Sequence, residues 1–297
     1  MRKLSVIVFC ILISATIVTA EQKGKLVFGR IDTTTFKYYK TVHDGAGGQY
    51  FQEMLGSKIF ESNFYFMHYC IIEPKSGIGE HLHRNSEEMY FAFDRPAEFT
   101  VNGRTALLPA GSCVLCPLSS SHGIYNNSDK PLKFLNIAVL TENGKGVTNY
   151  GEDLTNQKIE SPAPFKWAKF DRTVLKPITK CHQGKGELLF RRIWSSDSFK
   201  TKILFLDHLI LPPDTSIGYH QHNTMEEVYY ILNGKGRITV NNNTWDVIKG
   251  DAIPCTLHDS HGIYNNTGEE LEIFVWAVSL EKGEGDAKDQ GDDLADR

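Results

Sequence analysis

The chain has 297 residues, 41% hydrophobic and 23% charged, with a formal net charge of -4. That is the make-up of an ordinary folded protein of one large or two modest domains, not of a disordered or collagen-like chain. Charge near neutral with no basic block excludes nucleic acid and anionic membrane surfaces as expected partners.

The chain opens with Arg2 and Lys3, runs through weakly polar to apolar residues over 4–18, and reaches Val18-Thr19-Ala20 before Glu21. This pattern is that of a secretory signal peptide cleaved after Ala20. For an uncleaved anchor the run is slightly short, since about 20 apolar residues span a bilayer. The expectation is a secreted or periplasmic protein that does not stay in the membrane. Of the six cysteines, too few for a disulfide scaffold, cleavage leaves Cys70, Cys113, Cys116, Cys181 and Cys255. Buried thiols in strands are expected for these, with room for one bridge. Cys113-x-x-Cys116 has no second such pair and no βαβ context to make it a redox or zinc motif.

Beyond the leader come short apolar or alternating runs rich in Phe, Tyr, Ile and Val, broken by Gly, Pro and Asn. Turns fall at 73–77, 101–103 and 109–111, then at 212–214, 233–236, 241–243 and 249–251. Strands at this spacing indicate an antiparallel sandwich or small barrel. An offset of 139 residues superimposes the two halves: Phe51 on Phe190, Pro74 on Pro213, Gly79 on Gly218, Gly111 on Gly250. The heptapeptide of residues 121–127 returns unchanged at 260–266. The chain is therefore a duplication. Its expected parts are a signal peptide at 1–20, an N-terminal barrel at 21–147, a linker at 148–167, a C-terminal barrel at 168–281, and a disordered acidic tail at 282–297. The linker assignment rests on its polarity and its Ser161-Pro162-Ala163-Pro164. The tail assignment rests on a run of Gly, Asp, Glu and Lys.

The duplication preserves chemistry. His81-Leu82-His83 is followed by Glu87-Glu88 and later by His122; His220-Gln221-His222 is followed by Glu226-Glu227 and His261. In a strand, His-x-His points both imidazoles to one face. A carboxylate from the next strand and a third histidine from a distant one close a cluster. Three imidazoles and a carboxylate suit a divalent first-row metal with positions left for water or substrate, and not calcium, which takes oxygens.

On these residues the chain resembles the cupin family. Residues 79–91 and 218–234 are similar to its first motif, and Gly111, Pro117, His122 and Asn126 to its second. The resemblance implies two jelly-roll barrels (double-stranded β-helices) in tandem, an all-β bicupin with one metal per barrel. The family spacing to Gly234 selects Glu227 over Glu226, and by the repeat Glu88, with Glu87 as runner-up. The implied ligand sets are His81, His83, Glu88 and His122, and His220, His222, Glu227 and His261. Manganese or iron is favoured by the resemblance, with zinc or nickel as further options. Departures are Asp94-Arg95 in place of the motif's closing Gly, Thr256 in place of its Pro, and an extra His258 expected at the rim.

Strand parity puts Tyr90 on the face of Glu88 and Tyr229 on that of Glu227, as pocket phenols able to donate a hydrogen bond to substrate, or as core. His68 and Asp207 are equivalent positions on an earlier strand. Arg84, Arg191 and Arg192 offer charge to a carboxylate substrate, with solvent exposure as their default. The sequon at Asn242 falls in a hairpin turn open to glycosylation, whereas those at Asn126 and Asn265 fall inside the barrel mouths. The resemblance implies a metal-dependent enzyme on a small oxygenated organic substrate, an oxidoreductase of dioxygenase or oxalate type. An isomerase or lyase, or a protein that binds a sugar or organic acid without turnover, is the alternative. The expected partner is a small molecule, and the chain stands as a monomer or homo-oligomer.

Overall fold

A computed structural model describes residues 28–142 and 146–297; the expected signal peptide at 1–20 lies outside them. Apart from short 3-10 turns of three residues each, the regular structure described is all strand. In chain order the first half carries β1 (Lys37–Tyr39), β2 (Gln49–Gly56), β3 (Phe64–Ile72), β4 (Ser76–His83), β5 (Ser86–Ala92) and β6 (Ala97–Val101). It continues with β7 (Arg104–Leu108), β8 (Ser112–Cys116), β9 (Ser121–Asn126), β10 (Leu132–Leu140), β11 (Val147–Glu152) and β12 (Trp167–Lys169). The second half has β13 (Lys176–Thr179), β14 (Glu187–Ser195), β15 (Ile203–Leu211), β16 (Ser216–Gln221), β17 (Met225–Asn233) and β18 (Lys235–Val240). Then come β19 (Asn243–Ile248), β20 (Ala252–Cys255), β21 (Ser260–Tyr264), β22 (Leu271–Ser279) and β23 (Lys288–Asp289).

Two sheets form each jelly roll. The first barrel has the orders β1-β2-β3-β10-β5-β8-β12 and β11-β4-β9-β6-β7. The second has β13-β14-β15-β22-β17-β20 and β19-β18-β21-β16-β23. All the ladders are antiparallel, and the tandem jelly-roll architecture is the one expected.

The large sheets face each other, which explains why β5 is buried at every position. Its Tyr90 and Ala92 point into the barrel core, while Met89 and Phe91 join a hydrophobic cluster shared by both barrels. Phe91 stacks on Phe274 at 5.2 Å and Phe93 on Tyr230 at 5.7 Å across this contact. A strand covered on both faces reads as a nearly continuous apolar run.

The adjacent carboxylates divide the same way. Glu88 points inward; Glu87, fully buried, points across the interface and accepts from Lys200 N, Thr201 N and Thr201 Oγ1. Glu226 returns the contact, accepting from Glu61 N at 3.1 Å and Ser62 N at 2.8 Å. Period two alone sends neighbours to opposite faces, so Glu87, the runner-up ligand, is an interface residue.

The domain boundaries differ from expectation in two places. The segment expected as a linker is sewn onto the first barrel: β11 pairs with β4, Ile159 bridges Thr105, and β12 pairs with β8. In the second barrel Gly29 bridges Ala252, the counterpart of the β12–β8 pairing, and Arg30 forks onto Asp251 at 2.7 and 2.6 Å. Each half thus lends its leading segment to the other half's sheet.

The second correction concerns the tail expected to be disordered. Residues 282–297 fold back along the second barrel; β23 pairs with β16, and Leu294 is 1% exposed. Gly151-Glu152-Asp153-Leu154 and Gly291-Asp292-Asp293-Leu294 are equivalent, at an offset of 140 rather than 139. Both glycines have φ 75, and Leu154 and Leu294 have φ 65 and 67. Their side chains seat on Gly123 and Gly262, where an added Cβ would lie 2.5 and 2.8 Å from the leucine Cδ1. Acidic composition suggested solvation, but one buried leucine and a paired edge strand outweigh it.

Among the described residues all five cysteines are free, and Cys70, Cys113, Cys116 and Cys255 are buried in strands. Burial pushes the Cys70, Cys113 and Cys181 thiols up to about 12, which keeps them protonated near neutral pH.

Candidate metal centres

The bottom of each barrel is built from β4 and β9, or β16 and β21, whose register sets His81 opposite His122 and His220 opposite His261. A bulge follows Ile78 and Ile217. It falls at Gly79 and Gly218, where a Cβ would sit 2.1 Å from the carbonyl oxygen of His43 or His182. Only glycine lets that loop cross so close.

In the second barrel His220, His222, Glu227 and His261 place one donor atom each within 4.8 Å of one another. His261 Nε2 lies 3.1 Å from Glu227 Oε2, and His222 Nε2 lies 3.6 Å from Oε1. In the first barrel His83 Nε2 is 3.2 Å from Glu88 Oε1 and His122 Nε2 is 3.5 Å from Oε2. The His81 ring stands 4.6 Å from that of His122. Donors bound at about 2 Å to one ion stand roughly this far apart.

The donors also have the right chemistry. His81 and His220 each donate Nδ1–H to a backbone carbonyl, Gly79 O and Gly218 O, both at 2.8 Å, which leaves Nε2 as a lone pair. His83 and His222 are held in the same way by Gly146 O and Asp286 O. His122 Nε2, His220 Nε2, His222 Nε2 and both Glu88 oxygens are buried without a hydrogen-bond partner. Buried polar atoms are rarely left unpaired, and one divalent cation in each barrel would satisfy those of that barrel. Burial, with the neighbouring imidazoles, holds His81 and His220 well below the usual histidine range, so both are neutral. Burial alone would raise Glu88 and Glu227, but the histidines around them hold both well below the usual carboxylate range. Metal binding requires neutral imidazoles and an ionised carboxylate. His81 and His220 already meet this, whereas at His222 burial is outweighed by the Glu227 carboxylate, which raises it, so that it gives up its proton when an ion binds.

Tyr90 and Tyr229 line the cavities above these clusters, edge-on to His122 and His261 at 5.2 and 5.7 Å. Burial pushes both phenols well above their usual range, so they remain O–H donors. The Tyr90 hydroxyl has no partner. His68 and Asp207 also line the cavities, one in each. Arg192 reaches the second cavity and forks onto Asp207 through Nε and Nη2, both at 2.8 Å. Burial pushes the Asp207 carboxyl up to about 6 and the His68 imidazole down to about 4. Arg84 is exposed, and Arg191 bonds the Lys169 carbonyl. His258 is exposed and bonded to Asn223, outside the cluster. Asn126 and Asn265 are fully buried, their amides holding turns of backbone, whereas Asn242 is exposed.

The residues that sequence reasoning missed are a further histidine in each barrel. His43 stacks on His81 at 3.7 Å and 14°, and His182 on His220 at 3.8 Å and 8°. Both line a cavity, and both sit at φ near 50, where a non-glycine residue is uncommon. Asn149 and Asp289, from the added edge strands, bond their Nδ1 at 2.8 Å. The signal was present, because His43 and His182 are themselves 139 apart.

Comparison with known proteins agrees with this geometry. The Cupin domain profile matches residues 68–138 and 207–277. An oxalate-binding protein of Thermotoga maritima is 30% identical over 103 residues, 35% of this chain and 85% of that protein. An uncharacterized protein of Methanocaldococcus jannaschii is 35% identical over 111 residues, 37% of this chain and 85% of that protein. Among solved structures, a salicylate 1,2-dioxygenase mutant of Pseudoaminobacter salicylatoxidans with gentisate superimposes with a TM-score of 0.61 at 15% identity, covering 80% of this chain and 76% of that one. A Bacillus subtilis oxalate decarboxylase studied for its Mn(II) centres gives a TM-score of 0.59 at 15% identity, covering 88% and 78%. At such identities these two speak for the fold.

Proposed function

Because the chain belongs to the cupin family, we propose that it is an exported bicupin enzyme. Each barrel holds one divalent transition metal, manganese or iron before zinc or nickel, and acts on a small oxygenated organic substrate by oxidoreductase chemistry. The observation that carries this reading is buried donor atoms without partners in both barrels, on Glu88 and His122 in the first and on His220 and His222 in the second, where four donors come together. A bound ion supplies Lewis acidity and coordination positions for an oxygenated ligand. The three histidines and one glutamate hold it: His81, His83, Glu88 and His122 in one barrel, His220, His222, Glu227 and His261 in the other. Gly79 O and Gly218 O keep the tautomer of the first histidine, and Gly146 O and Asp286 O that of the second. Tyr90 and Tyr229 donate a hydrogen bond from the apolar wall to an oxygen of the ligand. The buried aromatic lining of the cavities, Phe134 in the first and Phe205 in the second among it, limits access of water to the bound group.

The test is elemental analysis of protein purified without chelator, followed by oxygen uptake and carbon dioxide release on small organic acids and phenols. About two equivalents of manganese or iron and turnover lost in His81→Ala and His220→Ala are expected; no metal after reconstitution refutes the ligand sets. A second reading, binding without turnover, is supported by the name of the T. maritima relative. Saturable ligand binding with no product would select it. Export belongs to the same proposal and rests on residues 1–20. The exported protein should begin at Glu21, and a membrane-retained chain beginning at Met1 refutes it.

A further inference from the structure

The duplication keeps the metal donors but exchanges the charges beside them. Positions 53 and 68 of the first half correspond to 192 and 207 of the second. In the first, Glu53 Oε2 stands 3.7 Å from His68 Nε2; in the second, Arg192 stands over Asp207. Acid and base have changed places on the same two strands, β2 and β3 against β14 and β15.

The surroundings changed with them. Arg192 is fixed on two sides: Asp207 takes its Nε and one Nη2 hydrogen, and Phe205 lies under the guanidinium with its centroid 4.4 Å from Cζ. Guanidinium has five N–H groups in a planar fork. Two are used, so the edge formed by Nη1 and Nη2 is left, half-exposed, in a cavity that also contains His222, Glu227 and Tyr229. The other acids of that cavity are occupied: Asp286 by Asn223 and Thr224, and Glu227 by the histidines. The first cavity has neither Lys nor Arg among its lining residues. His68 there is stacked on Phe66 at 3.7 Å and neutral, and Glu53, outside the residues that line the cavity, has 60% of its side chain exposed.

We propose that the second cavity selects a ligand bearing a carboxylate, held bidentately on the free edge of Arg192, and that the first cavity rejects it. This deepens the function proposed above and rests on its metal assignment. Arg192 is the specificity-determining residue and Asp207 its positioning residue; a carboxylate on a planar fork gains two charge-assisted hydrogen bonds, which a lysine at the same place would not supply. In the first cavity the same ligand would find no lysine or arginine to hold it.

The experiment uses the full chain with one metal set removed at a time. His81→Ala/His83→Ala leaves the second centre, and His220→Ala/His222→Ala leaves the first. Each is loaded with Mn(II), its metal content is measured, and it is titrated calorimetrically with oxalate and with its uncharged analogue oxamide. In the second-centre protein, Arg192→Gln is expected to weaken oxalate by about ten- to a hundredfold with oxamide and Mn(II) content unchanged. Arg192→Lys should recover part of the loss, and Asp207→Asn should cost less than Arg192→Gln. The first-centre protein should show no preference for oxalate until Glu53→Arg and His68→Asp are introduced together. An oxalate Kd indifferent to Arg192→Gln, or equal in both centres, overturns this inference and leaves the metal assignment standing. Failure of either protein, folded by its melting transition, to take up any of Mn(II), Fe(II), Zn(II) and Ni(II), or oxalate binding without a bound metal, overturns the proposed function itself.

Discussion

Deleting residues 282–297 separates a solvated tail from a structural strap. The structure gives that segment three kinds of contact. Leu294 is buried, worth about 1.5–3 kcal/mol for a side chain of its size. The Asp286 carboxylate accepts from Asn223 N, Thr224 N and Thr224 Oγ1 at 2.9, 2.9 and 2.7 Å, and hydrogen bonds to a charged group contribute about 1.5–3 kcal/mol. Asp292 O and Asp293 O receive Tyr219 N and Ser216 Oγ on the strand that carries His220. Taking the lower end of the first two alone, the second barrel loses at least about 3 kcal/mol, a fall in Tm of roughly 6–12 °C. The deletion also frees the Nδ1 of His222 and His182 from Asp286 O and Asp289. Calorimetric melting with metal analysis is the assay. One metal equivalent should be lost and the first barrel's retained. An unchanged Tm with two equivalents bound would refute the reasoning.

Glu87→Gln is expected to destabilise the barrel–barrel contact by about 1.5–3 kcal/mol in urea unfolding while leaving metal content intact. Glu88→Gln, one residue away, should empty the first centre instead. His43→Ala and His182→Ala should each weaken metal retention in their own barrel by roughly 10–100-fold, read by chelator competition, if the stacked ring orients the ligand as outer partners of metal sites do. For pH, His68 lies at about 4 when folded against 6.5 unfolded. As pH falls through that window the unfolded chain takes the proton first, so up to about 3 kcal/mol of stability is lost, and His68→Asn should flatten the loss. Asp207, about 6 folded against 3.8 unfolded, works oppositely: the folded state is protonated first and gains as pH falls from 6 to 3.8. Asp207→Asn should therefore steepen acid destabilisation, and urea midpoints across that range measure both.

The His-x-His pairs among the eight candidate ligands were legible because the step from residue to position is local there, whereas Glu88, Glu227, His122 and His261 were reached through the repeat and the cupin resemblance. His81 and His83 share a face by period two, and a constant offset repeats the pattern at His220 and His222. Tyr90 and Tyr229 followed by the same parity. His43 and His182 did not, since each lies 38 residues before its stacking partner. The bulge at Gly79 or Gly218, where two backbones nearly touch, brings them there. The ordered tail was missed for a smaller reason: one residue inserted between the second motif and Gly291 breaks the 139 offset and hides its likeness to Gly151.

By itself, then, the sequence determined the duplication and the β architecture, which follow from alternation along strands and repetition along the chain, and it offered the candidate donors, with the choice of Glu88 and Glu227 coming from the resemblance to the cupin family. The tertiary structure alone decided what depends on which surfaces meet. Glu87 and Glu226 join the barrels because the faces they occupy are covered by the other half. The leading segments cross over because each half's free sheet edge is completed by the other's chain. The cavities differ because Arg192 finds Asp207 across two strands where Glu53 finds His68, a pairing that exists only once the strands are in register.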